Sequence, residues 1–215
     1  MKNHTDFLDY VMPQVPGATN EMALLEIKNT IIDFCEKSLI LQETLDPVPA
    51  IENVMDYDLD PPSNRLVVKI MKAWFKGTEL TPVSIDEIQS PSWYNQNADY
   101  VVLHSDPRMI TQKDTETFSV YPIPGKTEPN VMTLRVALKP TRSASSIDDF
   151  IFENYAETIG HGAIARLYLS PDKPYTNPQM AMARNALYMA GLNVARDRAL
   201  KGYVRTNKHV KMRRI

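Results

Sequence analysis

The chain has 215 residues, of which 43% are hydrophobic and 23% charged, and it holds a single cysteine, Cys35. That length suits one generous domain, or one domain with an inserted module, and the composition excludes wholesale disorder. One cysteine excludes a disulfide framework and a cysteine-based zinc cluster; no window has the apolar length of a signal peptide or a membrane span.

The net charge of −2 hides an asymmetry. From Arg196 to Ile215 there are eight Lys or Arg and one acid, net +7, whereas the rest has 16 basic and 25 acidic residues, net −9. A mildly acidic body thus carries a basic C-terminal tail, which suits a polyanion or an acidic protein surface.

Sixteen prolines against seven glycines organise the chain. Proline is costly inside a helix, so the long proline-free windows, 17–46, 141–170 and 179–215, are where helices fit. The first helix is expected over Asn20–Leu41, capped by Thr19 or Asn20 after the Pro16-Gly17 turn. Its apolar stripe is Leu24, Ile27, Ile31, Phe34 and Cys35. A short helix over Thr5–Val11, closed by Pro13, precedes it.

The middle of the chain alternates with period two. Strands are expected at Arg65–Phe75, with Leu66, Val68 and Ile70 in the apolar run, and at Thr78–Val83 after a Lys76-Gly77 hairpin turn. Others fall at Tyr100–His104, Thr117–Ile123 and Asn130–Leu138; Gly125 between the last two suggests an antiparallel hairpin. Val48–Val54 fits only an edge, given Pro47 and Pro49. Helical spacing returns at Ser146–Leu169, capped by Ser145 or Ser146, with Ile151, Tyr155, Ile159, Ala163 and Leu167 four apart. The last helix opens at Asn177-Pro178 and runs to about Tyr203. Its small residues Ala181, Ala183, Ala186, Ala190, Gly191, Ala195 and Ala199 read as an inner face, with Ala186, Ala190 and Gly191 at a close helix packing or subunit contact.

The fold class is therefore α+β: a helical bundle with an inserted antiparallel β module and an extended C-terminal arm. The expected parts are 1–46 and 141–203 as the bundle, 47–140 as the β-rich insertion and 204–215 as the arm. In the arm, Val204, Val210, Met212 and Ile215 are interspersed with Arg205, Lys208, Lys211, Arg213 and Arg214. These nine residues are the expected partner-binding set, the apolar ones for a groove and the cations for its acids.

Signs of chemistry are sparse. His161 lies between Gly160 and Gly162, which fits either a catalytic or ligating histidine with room around it or a helix crossing with a polar edge. No second histidine or cysteine stands at ligand spacing, which favours the crossing. Asp56, Asp58 and Asp60 alternate as a cation loop would, but lack its glycine and distal glutamate and read as a solvated acidic loop. Cys35 on the apolar stripe reads as a small buried hydrophobe. Phosphate loops, nucleophile elbows and zinc-protease motifs are absent, so no catalytic, cofactor or metal site is expected.

The opening FLDYVMPQVPGATNEMALLEIKNTIIDFCEKS, with its Pro-x-Val-Pro-Gly turn and its amphipathic helix bearing an aromatic-Cys pair, resembles the start of head-to-tail adaptor (connector) proteins of short-tailed bacteriophages. The element order resembles the tail tubular protein A type of adaptor. The resemblance implies a non-enzymatic virion protein at the head–tail junction, made in the host cytoplasm, without cofactor or membrane. Its implied partners are the portal protein, tail nozzle or fibre proteins, and other copies of itself in a ring, twelve by family habit. Genomic DNA would pass through without sequence-specific contact, and the acidic body suits such a channel. Two other readings stay open: another tail or baseplate protein, which would share the composition, and a nucleic-acid binder using its basic tail, against which the acidic body argues.

Overall fold

The computed structural model of the chain describes residues 1–89 and 104–202. Strand β1 (Lys2–Asn3) leads into a helical segment with one α-turn, α1 (Leu8–Val11), flanked by 3-10 turns, the second of which contains Pro13. Helix α2 (Asn20–Ser38) begins where its cap places it: the Thr19 hydroxyl accepts from the Met22 amide at 3.4 Å. Its buried stripe is Ala23, Ile27, Thr30, Ile31, Phe34, Cys35 and Ser38, with Leu24 only half-buried. Leu39 turns left-handed (φ 55°) and ends the helix before Leu41.

Strands β2 (Gln42–Thr44), β3 (Val48–Ala50), β5 (Arg65–Phe75), β6 (Thr78–Glu79) and β10 (Glu128–Pro140) form one antiparallel sheet, in which the long β10 pairs β5 on one side and β2 and β3 on the other. Lys76-Gly77 make the expected tight turn from β5 to β6, both at positive φ. A second sheet runs β4 (Asp56–Asp58), β9 (Thr117–Tyr121), β8 (Met109–Gln112), β7 (Thr81–Pro82). Short helix α3 (Ile85–Gln89) follows β7. Strand β11 (Ser146–Ile147) pairs with β1 and precedes α4 (Asp149–Tyr168) and α5 (Pro178–Lys201).

Four expectations are corrected here. The β9–β10 hairpin does not form. Both sides of β10 are already paired, and the connection contains Pro122 and Pro124, which have no amide hydrogen for a ladder, so the chain crosses to the other sheet. The β module is not wholly antiparallel, because β7 and β8 run parallel across a long connection. In β5 the buried residues are Val67, Ala73 and Phe75, while Leu66, Val68 and Ile70 are half-buried. The register skips Met71 and Val68 opposite β10, and each skipped residue reverses the facing of the residues beyond it. The cap of α4 is Asp148 rather than Ser145 or Ser146, since Ser146 is committed to β11. The Tyr100–His104 strand lies outside the described residues apart from His104, which bridges to Ile123.

The five α4 positions spaced four apart are all buried, but so are Ala156, Gly160, Gly162, Ile164 and Ala165. Helix α4 is thus the central helix, covered on most of its circumference. Phe34 of α2 lies 5.1 Å from the ring of Tyr155, and Phe7 meets Phe152 edge-on at 5.0 Å. Buried side chains of the helices and of both sheets join in one apolar cluster. Arg65 at the start of β5 ties the layers at their edge, donating to Glu43 at 2.7 Å and to Asp148 at 2.9 Å. Cys35 is fully buried, and loss of hydration followed by the charge of Asp148 pushes its thiol up to about 12. It is the inert apolar residue that its place on the stripe implies.

His4 is 5% exposed, and neither ring nitrogen has a partner among the described residues. Burial, aided by the positive charge of Lys28, lowers its pKa from 6.5 to about 4. The native state keeps this imidazole neutral in the interval where the unfolded chain protonates it. Stability is therefore expected to fall as pH drops from about 6.5 towards 4, and to be insensitive to this group above that window. Urea titrations of His4→Met should show a flatter decline than the parent over this window; identical pH profiles would contradict the assignment.

Candidate assembly surfaces

Helix α5 starts as its sequence indicates, with the Asn177 side chain accepting from the Met180 amide at 3.1 Å and Pro178 in the first turn. It ends at Lys201, where Gly202 adopts φ 66° and its amide donates to the Arg198 carbonyl. The inner face, however, is Ala181, Tyr188, Leu192 and Ala195. Ala183, Ala186 and Ala190 are exposed, so neither Ala186 nor Ala190 forms a helix contact within the chain. At 100° per residue these three alanines lie opposite the buried set. Smallness did not orient the helix, because small residues occupy both of its sides.

Gly191 does meet a neighbour. A Cβ built there would lie 2.5 Å from the Thr158 hydroxyl and methyl on α4, so the backbones approach as only glycine permits. On α4 itself, a Cβ on Gly162 would lie 2.5 Å from Thr30 of α2 and 2.8 Å from the ring of Tyr188 of α5. The Tyr188 hydroxyl donates to Asp33 at 2.7 Å. Burial and then that bond raise the phenol well above its usual range, so it remains a donor. Asp33 also pairs with Lys37 at 2.7 Å. The Gly160-His161-Gly162 spacing marks this place in the sequence as a helix crossing, but nothing in the sequence names Tyr188 and Asp33 as its members.

The outward face of α5 is uncharged and, apart from Asn193, apolar over about three turns. Met182 is 68% exposed, Leu187 50% and Val194 51%, with Ala183, Ala186 and Ala190 between them. Between Arg184 and Arg196 the sequence has no charged residue, and Arg184 itself turns inward to Gln14 (2.6 Å) and His161 (3.3 Å). A solvent-facing helix surface of this length normally carries charge; large exposed apolar patches mark sites of association.

The remaining singled-out residues separate in space. Arg184 can only donate, so Nδ1 of His161 accepts and the ring is neutral; burial and then the Arg184 charge lower its pKa. Its other nitrogen is 3.7 Å from Glu157. This is the polar edge of a helix crossing. Asp56, Asp58 and Asp60 alternate with buried Tyr57 and Leu59. Asp56 is held by Lys113 at 2.7 Å and Ser119 at 2.6 Å; those bonds outweigh its partial burial and keep its carboxyl below the usual range. Among the described residues no group of three or more His, Cys, Asp or Glu is placed to hold a metal ion, and no helix is long and apolar enough to cross a membrane. All nine arm residues, Val204, Arg205, Lys208, Val210, Lys211, Met212, Arg213, Arg214 and Ile215, lie outside the described residues.

A family model described as SU10 adaptor protein matches residues 11–208, nearly the whole chain. No curated protein matches the sequence.

Replacing Gly191 by Ala is expected to cost about 1–3 kcal/mol, because the new methyl would meet not only Oγ1 and Cγ2 of Thr158 but also its Cβ at 3.0 Å, which no rotation moves away. Adding Thr158→Ala should recover most of that loss in thermal melts. An unperturbed Gly191→Ala protein would show that the two helices are not in close contact.

Proposed function

The chain belongs to the SU10 adaptor protein family of phage structural proteins, and from that premise we propose that it is a head-to-tail adaptor of the tail tubular protein A type in a short-tailed phage. Several copies, twelve by family habit, form a ring beneath the portal protein, receive tail nozzle or fibre proteins on the other side, and leave a channel for genomic DNA. The role is architectural, without catalysis or cofactor, and its place is the head–tail junction of the virion.

The observation that carries this reading is the charge-free outer face of α5. A ring requires each copy to offer one surface to a different surface of the next. The exposed Met182, Leu187 and Val194 supply apolar area, and Ala186 and Ala190 between them allow close approach. In this reading they are subunit contacts, and Gly191 sets the helix that presents them. The net −9 of residues 1–195 suits a channel that DNA must traverse without adhering. The arm, 204–215, leaves the body at Gly202 and docks on the portal, its four apolar residues in a groove and its five Lys and Arg against acids.

Ala190→Leu is expected to leave the melting temperature of the free protein within about a degree, since the residue is exposed, but to lower ring formation on portal-bearing particles at least tenfold by negative-stain microscopy. Normal rings from that variant would remove α5 from the interface. Deleting residues 204–215 should preserve the far-UV spectrum and abolish attachment to the portal; undiminished attachment refutes the arm's role.

A further inference from the structure

A cleft of about 660 Å3 opens between the C-terminal end of α5 and strands β5 and β10. Its wall carries Lys72, Arg135, Arg198 and Lys201. Lys201 pairs with Asp197 at 2.7 Å, and Arg198 is held beside Tyr155, 5.8 Å from its ring centroid. The other two cations are placed less comfortably. Lys72 and Arg135 are register partners on adjacent antiparallel strands, so their side chains leave the same face of the sheet. Like charges set directly opposite in this way destabilise a sheet. Glu79 reaches Lys72 at 3.1 Å, whereas Arg135 has no acidic partner among the described residues. Arg135 is also the exposed residue in a run where Leu134, Val136, Ala137 and Leu138 are buried.

The carbonyl end of α5 contributes only about half a negative charge, and Gln42 already donates to the Ala199 carbonyl at 3.1 Å. The cleft therefore stays electropositive. Its floor is apolar: Ile40, Met71, Phe150 and Leu200. Met71 is there because the β5 register skips it. The residues after Gly202 hold five Lys or Arg and no acid, so their charge does not complement the cleft.

We propose that this cleft is a docking site for an acidic segment of a partner protein, with carboxylates on Arg135 and Lys72 and an apolar side chain on the Met71–Phe150 floor. A nucleic acid would satisfy the cations but leave that floor uncovered, so the combination selects a peptide. The site is separate from the α5 outer face and does not depend on how many copies assemble.

The test uses the full-length protein as bait for a random 12-residue peptide display library, followed by fluorescence anisotropy with a fluorescein-labelled synthetic copy of the leading peptide. Enriched peptides should combine Asp or Glu with Leu, Ile or Phe. Arg135→Glu should weaken that peptide at least tenfold, while its melting temperature holds or rises because position 135 would then attract Lys72. Leu200→Ser should weaken the peptide several-fold, and the remote Lys126→Glu should not change it. Enrichment of peptides without acids, no enrichment at all, or equal affinity for wild type and Arg135→Glu would overturn the proposal. So would a 20-base-pair DNA duplex that displaces the peptide and itself loses affinity in Arg135→Glu, which would make the cleft a nucleic-acid site.

Discussion

The closeness of three helix backbones around α4 is the constraint on which the rest of the molecule depends. A methyl group at Gly162 would overlap Thr30 and Tyr188, and one at Gly191 would overlap Thr158. Each glycine inside a helix gives up about 0.5–1 kcal/mol of helix stability relative to alanine. The return is that Tyr188, the largest residue on the inner face of α5, can enter the junction and reach Asp33 on α2. These contacts set which side of α5 turns inward. Ala183, Ala186 and Ala190, with Met182, Leu187 and Val194, then face outward by geometry.

That orientation gives the chain an uneven surface. Opposite α4, α5 offers a long face without charge; at its far end it stops beside a cluster of cations on β5 and β10. The two surfaces differ in chemistry and suit different neighbours, the first another apolar helix face, the second an acidic chain. A protein that must bind its own copies sideways and other proteins at its ends needs such a division. The family to which the chain belongs, a family of adaptors, is consistent with that need.

What the sequence disclosed was mostly local. Thr19 and Asn177-Pro178 mark helix starts because a cap acts within three residues, and the proline-free windows mark helices because proline acts within one turn. The Lys76-Gly77 turn was legible for the same reason. What escaped was non-local. Two skipped residues in β5 reverse its facing, and only the partner strand defines a skip. Strand β9 ignores its sequence neighbour because β10 is occupied on both sides by strands from far earlier in the chain. Small residues on two sides of α5 carried no information about which side turns inward until Tyr188 met Gly162. The Lys72–Arg135 pair was likewise invisible, although an arginine inside the run VMTLRVALK was its one local trace.

The central claim, that the outward face of α5 meets another copy of the chain in the assembled particle, is open to one direct measurement. A photo-reactive benzoylphenylalanine in place of the exposed Leu187 replaces one bulky apolar side chain with another and disturbs neither the core nor the alanines. Illumination of assembled particles should give a ladder of covalent species at multiples of the chain's own mass, identified by mass spectrometry as cross-links to the same protein. Monomer alone, or cross-links only to a different protein, would contradict the account.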